Sequence, residues 1–104
     1  MISVITVVLN GEKYLEEAIS SIFKQTYDNI EYIIIDGGST DRSLDIIQKY
    51  ENIIDLWISE KDSGLYNAMN KGIALSSGDF VGFVGSDDYL YLNTLEKLAK
   101  AAQK

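Results

Sequence analysis

Apolar runs and amphipathic segments alternate along this chain, and that rhythm predicts its elements. Near the start, "ISVITVVL" (residues 2–9) is β-branched and lacks polar alternation, the pattern of a parallel strand covered on both faces. From Glu12 to Gln25 the apolar residues Tyr14, Leu15, Ala18, Ile19, Ile22 and Phe23 recur at helical spacing, while Glu16, Glu17, Ser20 and Lys24 fall elsewhere. "IEYIII" (30–35) repeats the buried-strand pattern, and "GGST" breaks it before "DRSLDIIQKY" (41–50), a helix with Leu44, Ile47 and Tyr50 inward. "IDLWIS" (54–59) is a third strand, followed by the polar turn "SEKDSG". In "LYNAMNKGIAL" (65–75) a third helix sets Leu65, Ala68, Met69 and Gly72 on one face and Asn67, Asn70 and Lys71 on another. "DFVGFVG" (79–85) is a fourth strand, and Asn93 with Glu96 forms a capping pattern that opens a fourth helix carrying Leu95, Leu98 and Ala102.

Strands alternating with helices imply right-handed crossovers and an α/β, Rossmann-like three-layer architecture: a parallel sheet with helices on both faces. The predicted strand order is 3-2-1-4. Open sheets of this kind take ligands beyond the carboxyl ends of their strands, where the strand order reverses. Those ends carry Asn10, Asp36 and the pair Asp87 and Asp88, so separated polar groups are expected to meet along one edge.

Length and charge narrow the chemistry. The 104 residues suit one domain, and a formal net charge of -7 argues against a nucleic-acid partner, which needs clustered Lys and Arg. Without cysteine or histidine, a metal has only oxygen ligands available. No apolar run approaches the roughly 20 residues of a membrane span, and no basic leader precedes the first strand, so a cytoplasmic chain is expected.

Two adjacent carboxylates repel unless a cation sits between them or one takes a proton. Asp87 and Asp88 suit Mg²⁺ or Mn²⁺, which binds through one or two carboxylates, water and substrate phosphate oxygens. Such an ion would also let an acidic protein hold an anionic diphosphate. A solvated turn capping the strand remains the alternative for "SDD". Asp36, at the end of strand two, either accepts hydrogen bonds from a base or ribose hydroxyl or is satisfied by turn amides, with Ser39, Thr40 or Asp41 capping the next helix. Gly64 lets the chain turn sharply into helix three, whose first amides could approach an anion, with Lys71 adding charge; an ordinary solvated helix face is the alternative. Neither G-x-G-x-x-G after strand one nor a G-x-x-x-x-G-K-[ST] loop is present.

Taken in order, "ITVVLN", "SIFKQTYDNIEYIIIDGGSTD", "SEKDSGLYNAMNKGI" and "SGDFVGFVGSDD" resemble the nucleotide-sugar half of glycosyltransferase family 2, the GT-A fold, across nearly the whole chain. The resemblance implies that Asp36 contacts the nucleotide base, that Asp88 ligates Mn²⁺ or Mg²⁺, and that Asp87 lies nearer the ribose or an outer-shell water. It also implies a nucleoside-diphosphate sugar as ligand, a UDP-sugar ahead of others, with Asn10, Gly64, Asn67 and Lys71 around the nucleotide. Many members carry a second acid where Gly37 stands, an Asp-x-Asp where Ser86-Asp87-Asp88 stands, and an arginine at the position of Met69.

The family continues into a second half that builds the acceptor site and supplies the catalytic base. Residues 1–104 are accordingly expected to be a donor-binding domain without a catalytic residue of its own. The resemblance implies a parent enzyme, working at the inner face of a membrane, that would transfer the sugar to an acceptor hydroxyl with inversion. Surface left by that missing half suggests self-association. Two other readings fit a small parallel α/β chain with acids at strand ends: a receiver-like signalling module and a non-catalytic scaffold.

Overall fold

The computed structural model describes residues 1–24 and 29–84, so Asp87, Asp88, the end of the first predicted helix at Gln25 and the predicted fourth helix lie outside the described residues. The described chain runs β1 (Ile2–Val8), α1 (Leu15–Phe23), β2 (Ile30–Asp36), α2 (Ser43–Lys49), β3 (Leu56–Ser59), α3 (Leu65–Leu75) and β4 (Phe80–Phe83). All pairings are parallel and the order is β3-β2-β1-β4, as the α/β reading predicts. A receiver-like module has order 2-1-3-4-5, and the observed order separates this chain from it.

The strands lack polar alternation because both faces of the sheet are covered. On one face Val4 and Val8 of β1 and Tyr32 and Ile34 of β2 pack against Leu15, Ile19 and Ile22 of α1 and Ile47 of α2. On the other, Ile5, Ile33 and Ile35 pack with Ala68 of α3. Thr6, fully buried on the first face, shares a 2.8 Å hydrogen bond with the Tyr32 hydroxyl, and burial pushes that phenol up to about 12.

Element ends differ from the sequence reading for local reasons. Residues Glu12–Tyr14 form a turn closed by hydrogen bonds from the Tyr14 and Leu15 amides to the Gly11 carbonyl (3.2 and 2.9 Å), so α1 begins at Leu15 rather than Glu12. Tyr14 and Phe23, predicted inward, are 42% and 66% exposed. Both lie about a quarter turn from the centre of the Leu15, Ala18, Ile19, Ile22 stripe at 3.6 residues per turn. In α3 the buried residues are Ala68 and Gly72, while Leu65 at the helix start is 58% exposed. The outer helices are joined where Glu16 takes hydrogen bonds from Lys49, at 2.7 Å, and from the Tyr50 hydroxyl.

At the amino edge of the sheet one carboxylate gathers the chain. Glu31 accepts from the Ser3 hydroxyl (2.8 Å) and from the Ser77 amide and hydroxyl (2.8 and 2.7 Å), and the Ser3 hydroxyl accepts from the Gly78 amide (2.9 Å). Burial pushes the Glu31 carboxyl up, but the Ser77 and Ser3 bonds outweigh it and hold it below the ordinary 4.5. A carboxyl depressed in the folded state stabilises the fold above its unfolded value and loses that contribution as pH falls through the folded value. Acid unfolding should therefore set in below about pH 4.5, and Glu31→Gln should flatten that limb. Urea titrations of both proteins between neutrality and pH 3 check this; parallel curves would remove Glu31 from the account.

Candidate functional site at the carboxyl edge of the sheet

Val8, Asp36 and Ser59 sit level in register, so β1, β2 and β3 release their loops at one height. Asp36 ends β2 with no exposed surface. Its Oδ2 accepts from the Gly38 amide (3.2 Å), the Ser39 amide (3.0 Å) and the Ser59 hydroxyl (2.8 Å), and its Oδ1 from the Ser39 hydroxyl (2.5 Å). Gly38, at φ 92°, supplies the left-handed turn that brings those amides back over the carboxylate. Of the two readings open for Asp36, this geometry matches satisfaction by its own turn. A base contact has no exposed surface of Asp36 to act through.

Asn10 serves the same lattice from β1. It adopts φ 53°, a left-handed conformation that asparagine tolerates better than most residues. Its Oδ1 accepts from the Thr40 amide (2.8 Å) and the Asp41 amide (3.3 Å), while its own amide donates to the Ser39 hydroxyl (2.8 Å). The Gly11 amide donates to Ser43 Oγ (2.9 Å) and the Glu12 amide to Asp41 Oδ2 (3.1 Å). Burial pushes the Asp41 carboxyl up, but the amides of Ser43 and Glu12 hold it below its ordinary value. The β1–α1 and β2–α2 loops are thus laced into one platform.

Beside this platform a cavity of about 210 Å³ opens between the end of β1 and the start of α3, lined by Val7, Val8, Leu9, Gly37, Asp62, Gly64, Leu65 and Ala68. Gly64 enters α3 at φ 122°. A Cβ at Gly64 would meet nothing within 4 Å, so the backbone conformation, not space, is what requires glycine there. The Gly64 amide donates to Asp62 Oδ1 (3.1 Å) and the Ser63 amide to Asn67 Oδ1 (3.2 Å), so Asn67 shapes the entry turn. Lys71 turns toward the end of β3, where its ammonium lies 3.0 Å from Glu60 Oε1. Its charge is already balanced.

Of the sequence candidates, the structure brings Gly64 into the cavity wall, sets Asn10 and Asp36 in the platform beside it, and turns Asn67 and Lys71 to local partners. Asp62 was not among them, although its carboxylate lines the cavity. The available signal was its place two residues before the turning glycine, an Asx pattern ahead of a helix. Its fit depends on Gly37, where a Cβ would lie only 3.0 Å from Asp62 Oδ2 and 3.2 Å from Oδ1.

β4 runs parallel to β1, and the Val84 amide donates to the Ile5 carbonyl at 2.9 Å, so the chain leaves β4 toward this same edge. Asp87 and Asp88 follow, outside the described residues. Among the described residues no group of three or more carboxylates, histidines or cysteines is placed to hold a metal.

An open parallel sheet reversing its order at β1, with a cavity at its carboxyl edge, defines a Rossmann-like α/β protein of the GT-A kind. The chain belongs to glycosyl transferase family 2, whose sequence model matches residues 3–104. It is 37% identical over 107 residues to the glycosyltransferase GlyG of Streptococcus pneumoniae, covering 100% of this chain and 36% of GlyG. An uncharacterized glycosyltransferase of Haemophilus influenzae is 42% identical over 103 residues, covering 93% of this chain and 40% of that protein. Among solved structures, S. aureus TarS in complex with UDP-GlcNAc superposes with a TM-score of 0.89 at 34% identity, over 98% of this chain and 31% of that one. The mannosyltransferase PcManGT of Pyrobaculum calidifontis, in complex with GDP-Man and Mn²⁺, shares the fold with a TM-score of 0.85 at 22% identity, over 98% of this chain and 31% of that one. The chain therefore spans about two-fifths or less of these relatives' length.

Proposed function

We propose that residues 1–104 form a single donor-binding domain that takes a nucleoside-diphosphate sugar, a UDP-sugar first among them, at the carboxyl edge of the sheet. The observation that carries this reading is the cavity at the end of β1, walled by the turns after β2 and β3, in a chain similar to a UDP-GlcNAc-bound TarS. The platform built on Asn10 and Asp36 holds those turns in place. Gly64 and Asn67 shape the mouth.

Charge supports a metal. The chain carries a formal net charge of -7, and Lys71, the one cation of α3, is engaged by Glu60, so a divalent ion would supply positive charge that a bound diphosphate calls for. Asp88, with Asp87 beside it, offers hard carboxylate oxygens that suit Mn²⁺ or Mg²⁺ and would hold it. The bound ion would neutralise charge on the departing diphosphate. Transfer to an acceptor hydroxyl with inversion requires a base, which this reading assigns to residues beyond 104 in a longer protein. No described helix is long and apolar enough to cross a membrane.

Calorimetric titration with uridine diphosphate tests the reading. Binding should need Mn²⁺, and Asp88→Asn should weaken it by at least about tenfold. Equal heats with and without metal, in both proteins, would remove the metal from the proposal.

A further inference from the structure

We infer that the ion pair of Lys71 with Glu60 is a positioning device. It pins the turn between β3 and α3 to the end of the sheet and so sets one wall of the cavity, while Lys71 itself makes no contact with a bound diphosphate. The inference rests on the nucleotide-sugar reading and gives Lys71 a part in that site other than charge.

Glu60 directly follows β3 and is tied twice. Its amide donates to the Asp36 carbonyl at 3.0 Å, which joins it to the end of β2, and its carboxylate lies 3.0 Å from the Lys71 ammonium on the second turn of α3. The Lys71 side chain is 21% exposed, less than any other partner in the ion pairs of the described residues. Its stem is packed, so the ammonium is not free to swing toward a ligand.

Asp62 and Gly64 of the cavity wall lie in the stretch that this pair closes. That stretch rests on the turn after β2 with almost no side chain between them: a Cβ at Gly37 would lie 3.0 Å from Asp62 Oδ2, and one at Gly38 would lie 3.2 Å from the Lys61 Cα. Two glycines against a passing backbone bury little apolar area, so polar ties must hold the contact. Within the turn the ties are short-range, from the Ser63 amide to Asn67 Oδ1 (3.2 Å) and from the Gly64 amide to Asp62 Oδ1 (3.1 Å). They shape the turn without fixing where it sits. Glu60 fixes that, by joining the end of β2 to α3.

The alternative use of Lys71, as a cation for the diphosphate, makes the opposite prediction at Glu60. A lysine that served the ligand would be released by loss of Glu60 and would bind the anion better. A lysine that serves the turn has nothing to hold once Glu60 is gone.

The test measures uridine diphosphate affinity, with Mn²⁺ present, for Lys71→Met, Glu60→Gln, the double variant and Lys71→Arg. Each of the first two should weaken binding about two- to fivefold, the scale of a partly exposed ion pair. The double variant should be no weaker than either alone, because both remove one interaction, and Lys71→Arg should bind as wild type does. In the chain without ligand, amide hydrogen exchange at Ser63 and Gly64 should quicken in both single variants while the amides of β1 keep their wild-type rates, which a general loss of stability would not allow. Unchanged affinity in both single variants, or tighter binding by Glu60→Gln, would overturn the inference and leave the donor reading intact. Failure of every protein, wild type included, to bind uridine diphosphate would overturn the donor reading, and the exchange rates would still decide whether the pair pins the turn.

Discussion

Asp36→Ala should lower unfolding stability by about 3 kcal/mol, the scale of removing a charged acceptor and leaving enclosed donors unpaired. The side chain has no exposed surface and receives the amides of Gly38 and Ser39 and the hydroxyls of Ser39 and Ser59. A chain of this length has about 5–15 kcal/mol in total, and each kcal/mol moves the midpoint by about 4–8 °C. Thermal unfolding should therefore shift down by more than about 12 °C. Asp36→Asn should fall between the two proteins: its Oδ1 can still accept, but its amide nitrogen must face a Ser39 hydroxyl that already accepts from the Asn10 amide at 2.8 Å. Unfolding midpoints within a degree of wild type for both variants would mean that these bonds do not hold the loops in solution.

The layered fold was readable because its causes are local. Continuous β-branched runs report strands covered on both faces, and the Gly, Ser and Asp clusters between them report turns, so the strands of the sheet, their order and the extent of α3 match the sequence reading. What escaped it depends on approach between loops distant in the chain. Asn10 and Asp36 were recognised as polar strand ends, but that Asn10 is used up on Thr40 and Asp41, and Asp36 on Ser59, follows only when the turns after β1, β2 and β3 meet. Lys71 was read as available charge because nothing in a helical face foretells Glu60 as its partner. Asp62 was passed over because its significance comes from Gly37, which is remote in sequence and adjacent in space. A pattern tells which face or end a residue occupies; its partner there is a tertiary fact.

Gly72 offers the other large effect, with a sign opposite to what helix propensity suggests. At an exposed site within a helix, exchanging glycine for alanine stabilises by about 0.8–1 kcal/mol. Here the added Cβ would lie 2.6 Å from Ile5 Cγ2 and 3.0 Å from Ile5 Cδ1. Ile5 is fully buried among Ile33, Ile35 and Ala68, so it has no room to retreat. Overpacking of this kind costs about 1–3 kcal/mol, which at this separation exceeds the propensity gain. Gly72→Ala should thus destabilise by about 1–2 kcal/mol and Gly72→Val by about 3 kcal/mol or more, since valine adds volume without alanine's helical advantage. The clash also predicts its own relief: in an Ile5→Ala background, Gly72→Ala should cost at least about 1 kcal/mol less than it does alone. Because α3 carries Leu65 and Ala68 into the cavity wall, a helix pushed off β1 should weaken uridine diphosphate as well as lower the midpoint. Urea unfolding of the four proteins of the cycle decides the matter. An alanine at position 72 that stabilised the chain would mean α3 rides further from β1 than the Ile5 contact requires.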